Sequence, residues 1–65
     1  MAATELTLVT GERFQVDGGP PDVEKAILSA ARGSLLEFAW LQEVGSGQAL
    51  GVNPAHVALL RAVDS

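Results

Sequence analysis

The chain has no cysteine and no tyrosine, one histidine, one lysine and only three aromatic residues, two Phe and one Trp, among sixty-five. Without cysteine there can be no disulfide and no thiolate metal site. A single imidazole excludes a multi-histidine zinc site, and the dispersed carboxylates suit no structural metal, so no metal and no cofactor is expected. A P-loop requires Gly-Lys-Ser/Thr, and the only lysine, Lys25, stands between Glu24 and Ala26 in the expected helix, which removes that reading. Apolar runs stay far below the roughly 20 residues that cross a bilayer. No charged leader followed by an apolar stretch opens the chain, so no signal peptide and no membrane partner is expected, and the location predicted is cytoplasmic.

Positive charge is also scarce. Four basic residues face eight acidic ones, a net charge of −4, with a pI near 4.5. A nucleic-acid binder concentrates basic residues on one face. Here Arg13, Lys25, Arg32 and Arg61 are scattered among twice as many acids, which disfavours direct binding of nucleic acid unless an oligomer gathers Arg13 and Arg61 on one edge. Arginine outnumbers lysine three to one and Ala, Gly and Val abound, a composition associated with GC-rich bacterial genomes.

What is present is apolar. Hydrophobic residues make up 48% of the chain, too many for disorder, although ten of them are alanine. A chain of this length predicts one domain, residues 1–65, near the lower limit for a self-supporting core. With disulfides and metals excluded, self-association is the remaining aid to stability.

Residues 4–17 alternate about a turn: Leu6 and Leu8 on one strand face, Phe14 and Val16 on the next. Gly11-Glu12 at the centre of a two-residue loop predicts a type II′ hairpin. Gly18-Gly19-Pro20-Pro21 breaks the sheet and opens a helix over 21–32, with Asp22 and Glu24 in its first turns. Val23, Ala26, Ile27 and Ala30 form its apolar stripe, and Gly33 stands beyond its end. Strands follow at 34–44, 48–52 and 57–63, with Gly45-Ser46-Gly47 as a turn. A helix over 54–63, capped by Asn53 and begun by Pro54, is the rival to the last strand. The fold predicted is α+β: a single small antiparallel sheet in the order β-β-α-β-β-β with one helix on one face.

The hairpin Leu6-Thr7-Leu8-Val9-Thr10-Gly11-Glu12-Arg13-Phe14-Gln15-Val16 and the segment Val52-Asn53-Pro54-Ala55-His56-Val57 give the chain a resemblance. It resembles small uncharacterised bacterial domains, of actinobacterial type, built as hairpin, helix and C-terminal β-meander. The resemblance implies a fold and carries no catalytic signature.

Candidate chemistry is thin. Gly45-Ser46-Gly47-Gln48-Ala49-Leu50-Gly51 nearly spells a dinucleotide fingerprint, but its last glycine is one position late and no strand–helix context surrounds it. Pro20 and Pro21 remove amides that a phosphate at the helix start would use, and Asp17, Asp22 and Glu24 repel anions. His56 is the one imidazole of the chain, yet nothing places Ser29, Ser34, Ser46 or Ser65 beside it. Glu37 and Glu43 on one strand face would stand about 20 Å apart, beyond the 5–9.5 Å of glycosidase pairs. No catalytic residue is assigned, and the chain is not expected to be an enzyme.

In the strand 34–44, Leu36, Phe38 and Trp40 alternate with Leu35, Ala39 and Leu41. The larger set is expected beneath the helix, Phe38 and Trp40 packing on Val23 and Ile27, with Trp40 near the strand end as a possible interface anchor. Leu35, Ala39 and Leu41 are then expected on the opposite face, where an apolar strip would be covered by a two-fold dimer pairing these faces or the neighbouring edge strands. The function this favours is a non-enzymatic protein-interaction or regulatory module, a homodimer docking on a protein partner of unknown identity. The alternatives are an oligomeric nucleic-acid-associated regulator and a small-ligand binding domain.

Overall fold

The computed structural model describes residues 2–32 and 38–63. Its elements are β1 (Ala3–Leu8), β2 (Arg13–Asp17), α1 (Pro20–Ala31), β3 (Ala39–Gln42), β4 (Ala49–Val52), a 3-10 turn (Pro54–His56) and β5 (Val57–Val63). The fold is α+β, with one α-helix and five antiparallel strands among the described residues.

β1 and β2 pair with Leu6 opposite Phe14 and Thr4 opposite Val16, all on the face turned to the core. The loop between them is Val9-Thr10-Gly11 and not the expected two-residue turn: the Leu8 amide donates to the Glu12 carbonyl at 2.8 Å and the Gly11 amide to that of Leu8 at 2.9 Å. Register is the reason. A loop of Gly11-Glu12 would oppose Leu6 to Asp17 and Leu8 to Gln15, whereas the three-residue loop matches apolar to apolar. Gly11 keeps its role, with φ +95° in the left-handed region.

Gly18, at φ +102°, turns the chain from β2 into α1. The helix begins at Pro20, one residue before the expected start, and ends at Ala31, where Arg32 caps it by donating its amide to the Leu28 carbonyl at 3.0 Å. Val23, Ile27 and Ala30 are buried and Ala26 is half-buried, the stripe expected from spacing. Gly33 and residues 34–37 of the expected strand lie outside the described residues.

The expected single sheet is two. One has the order β2-β1-β5 and the other is the β3-β4 hairpin. They are joined by a bridge from Val16 to Glu43, with the Val44 amide donating to the Gln15 carbonyl at 2.8 Å. The last element is a strand, as expected, and the rival helix survives as one 3-10 turn. Asn53 Oδ1 accepts from the Ala55 amide at 2.9 Å and Pro54 opens the turn. The C-terminal meander does not form: β5 leaves β4 and pairs antiparallel with β1, Leu6 against Leu60 on the core face and Glu5 against Arg61 on the other. Matching apolar and ionic neighbours on both faces of β1 favours this partner.

Leu6, Val16, Val23, Ile27, Ala30, Ala39, Leu41 and Val52 form the core, ringed by half-buried Leu8, Ala26, Leu50, Val57 and Leu60. Thr4 is fully buried and donates its hydroxyl to the Gly18 carbonyl at 2.8 Å, so its polar atom is satisfied.

Candidate protein-interaction surface

The β3-β4 hairpin decides what this molecule shows to its surroundings. Ala39 pairs with Val52 and Leu41 with Leu50, and this face packs into the core. Ala39 is 3% exposed and Leu41 9%. The expectation for β3 is therefore inverted. Ala39 and Leu41 are core residues, and Phe38 and Trp40, at 53% and 67% exposed, stand on the outside. Leu35 and Leu36 lie outside the described residues. Alternation allows either face to turn inward; β4 settles the choice, because its larger apolar pair Leu50 and Val52 shares a face with Leu41 and Ala39. The face holding Trp40 holds Gly51 directly across.

That glycine seats the aromatic pair. A Cβ built on Gly51 would lie 3.0 Å from Trp40 Cη2 and 3.2 Å from Phe38 Cδ2. The two rings meet edge to face, with centroids 6.4 Å apart and planes at 68°. Trp40 thus lies across bare backbone, its outer face free, in an arrangement that buries little of the ring.

Beside Phe38 opens a groove of about 330 Å³. Leu8, Phe14, Leu50 and Val52 form its apolar walls, and Asn53 and His56, from the 3-10 turn, are its polar lining residues. The groove exists because the turn brings β5 back to β1, the Val9 amide donating to the His56 carbonyl at 2.8 Å. Among the described residues that line the groove there is no serine, threonine or carboxylate beside the exposed His56.

The other sequence candidates fall elsewhere. Ser46 donates its hydroxyl to Glu43 Oε1 at 2.6 Å and accepts from the Gln48 amide at 3.2 Å, closing the β3-β4 turn. The Gly19 carbonyl accepts from both Asp22 and Val23 amides at 3.0 and 3.1 Å, the ordinary opening of a helix. Glu37 lies outside the described residues, while Asp17, Asp22 and Glu24 are exposed. Among the described residues no three His, Asp or Glu side chains gather as a metal site would require. Arg13 and Arg61 lie on one face but on opposite edge strands of the three-stranded sheet, and Arg61 Nη1 stands 4.0 Å from Glu5 Oε1. Lys25 and Arg32 belong to the helix. No helix among the described residues is long and apolar enough to cross a membrane.

Sequence reasoning singled out Trp40 as an anchor and placed it on the wrong face; it missed the groove and the exposed Phe38. Gly51 opposite Trp40 leaves the ring room on that face, but this pairing enters only with the register. Compared with protein-family models, with curated proteins and with solved structures, the chain matches none.

Proposed function

We propose that this chain is a non-enzymatic protein-interaction module that works self-associated and docks on a protein partner through Phe38, Trp40 and the adjoining groove. The observation that carries this reading is the exposed aromatic pair seated on Gly51. Trp and Phe held in place beside an apolar recess are what interface centres are enriched in, because they bury much area for little loss of side-chain freedom. The recess is small, near the lower end of the 300–1,000 Å³ range of ligand pockets, and accommodates one apolar side chain of a partner. The residue inventory supports a binding role: among the described lining residues the side chains offer one amide and one imidazole and otherwise carbon. A basic surface continuous enough for nucleic acid is not supported, since Arg61 is engaged with Glu5 and the other cations are dispersed.

The test is selection of peptides from a displayed library on wild-type protein, followed by measuring the binding of each enriched peptide to Trp40→Ser and Phe38→Ser. Enriched peptides should carry a large apolar anchor, should blue-shift the emission of Trp40 (the sole tryptophan) and should lose binding to Trp40→Ser and Phe38→Ser. Peptides that bind all three proteins equally would overturn the docking surface. Strong thermal stabilisation by a small metabolite, with no peptide binding, would favour a ligand pocket instead.

A further inference from the structure

β5 is the longest strand among the described residues, seven in all, and lies at the edge of its sheet. Among the described residues no strand covers its outer side. Six of its seven side chains are apolar, and Arg61 is the single charge. Natural edges are protected by lysines, prolines, bulges or short length. β5 has no proline or lysine, and its one register irregularity against β1 lies at the Val57 end, leaving Leu59 to Val63 regular. Leu59, on the face away from the core, is 47% exposed.

We propose that this edge is where a second copy of the chain adds, strand to strand and antiparallel, joining two three-stranded sheets into one of six. The inference rests on the self-association read above and names its surface. A two-fold axis normal to the sheet keeps each side chain on its own face, so the pairing must be centred on a residue, and the sequence of β5 selects which. Centring on Leu60 pairs all seven residues, Val57 with Val63, Ala58 with Ala62 and Leu59 with Arg61 of the copy. Centring on Arg61 opposes the two guanidinium groups. Centring on Leu59 pairs only five strand residues and sets Ala62 against His56, inside the 3-10 turn.

With Leu60 at the centre, each Arg61 lies between Glu5 of its own chain, at 4.0 Å, and Leu59 of the copy. Glu5 stands near its exposed guanidinium, and its aliphatic stem can cover the incoming leucine. Edge pairing of this length buries less than the ~1,600 Å² of a standard interface, so the association is concentration-dependent.

The register makes an asymmetric prediction, because residue 59 faces a cation. Leu59→Glu should associate at least as tightly as wild type, with a new dependence on salt. Leu59→Lys should weaken association by about tenfold or more. Sedimentation equilibrium on wild type and both variants, up to about 1 mM, reads this out directly, and circular dichroism confirms that each variant is folded. The emission of Trp40 is followed in the same samples. Association with unchanged emission and opposite effects of Glu and Lys supports the edge. Equal weakening by both variants, or a blue shift of Trp40 as wild type associates, overturns it while leaving self-association standing. A wild type monomeric throughout overturns both the edge and the self-association, yet leaves the peptide-docking surface to its own test.

Discussion

At the scale of single residues, the backbone of Gly11 and the side chain of Thr4 show two different costs. Gly11 sits at φ +95° with open space where a Cβ would stand, so Gly11→Ala meets no clash and only the left-handed backbone. Its expected effect is a loss of about 1–2 kcal/mol, read from a urea denaturation midpoint at unchanged slope. Thr4 is buried and its hydroxyl satisfies the Gly18 carbonyl. Thr4→Val fits the space but strands that carbonyl, and should lose about 1–3 kcal/mol, whereas Thr4→Ser keeps the bond and should lose less. Gly51 is a third case. Its added methyl meets ring edges of an exposed tryptophan that can swing outward, so Gly51→Ala should leave stability within about 1 kcal/mol of wild type. It should nevertheless raise the acrylamide quenching of Trp40, because the ring loses its seat.

Among elements, the 3-10 turn at 54–56 has the largest consequence for its size. It ends β4, supplies Asn53 and His56 to the groove, and aims β5 back to β1. Asn53→Ala removes the bond to the Ala55 amide and, by the logic of helix caps, should cost about 0.5–2 kcal/mol. Hydrogen exchange at Ala55 should accelerate by more than at β2 amides, since the loss is local. The same turn shows how both sequence readings of this segment held something. Asn53 and Pro54 are start signals for a helix, and they start one; the β-branched and leucine-rich run after them has a strand partner in β1 and extends instead.

For the molecule as a whole, inverting β3 changes the meaning of a substitution. Leu41→Glu, which would probe an interface if Leu41 faced outward, puts a charge among core residues instead. A chain of this length has about 3–10 kcal/mol of stability, and a buried unpaired carboxylate is enough to unfold it. Leu41→Glu should therefore abolish the folded far-ultraviolet dichroism, whereas Trp40→Ser should leave it in place. No metal is expected to support the fold, so excess chelator should leave the melting temperature unchanged; a sharp drop would disprove this. If copies pair at β5, the melting temperature should rise with protein concentration in wild type and less in Leu59→Lys, because the dimer binds the folded state alone.

The sequence by itself determined the order of elements, the α+β class, the glycine of the first turn and the buried stripe of α1. These rest on local physics: positive φ needs glycine, proline opens helices, and only one face of α1 is apolar, so its orientation has one solution. The tertiary structure alone decided which face of β3 turns inward and which strand β5 joins. A strand apolar on both faces has two solutions by alternation. Trp40 points outward because Leu50 and Val52 across the hairpin share their face with Leu41 and Ala39, a parity that enters only with register. β5 lies beside β1, far from it along the chain, because Leu60 meets Leu6 on one face and Arg61 meets Glu5 on the other. Such pairings are long-range, and nothing in the local pattern of residues 57–63 ranks one neighbour above another. The exposed edge and the aromatic face are both products of that choice.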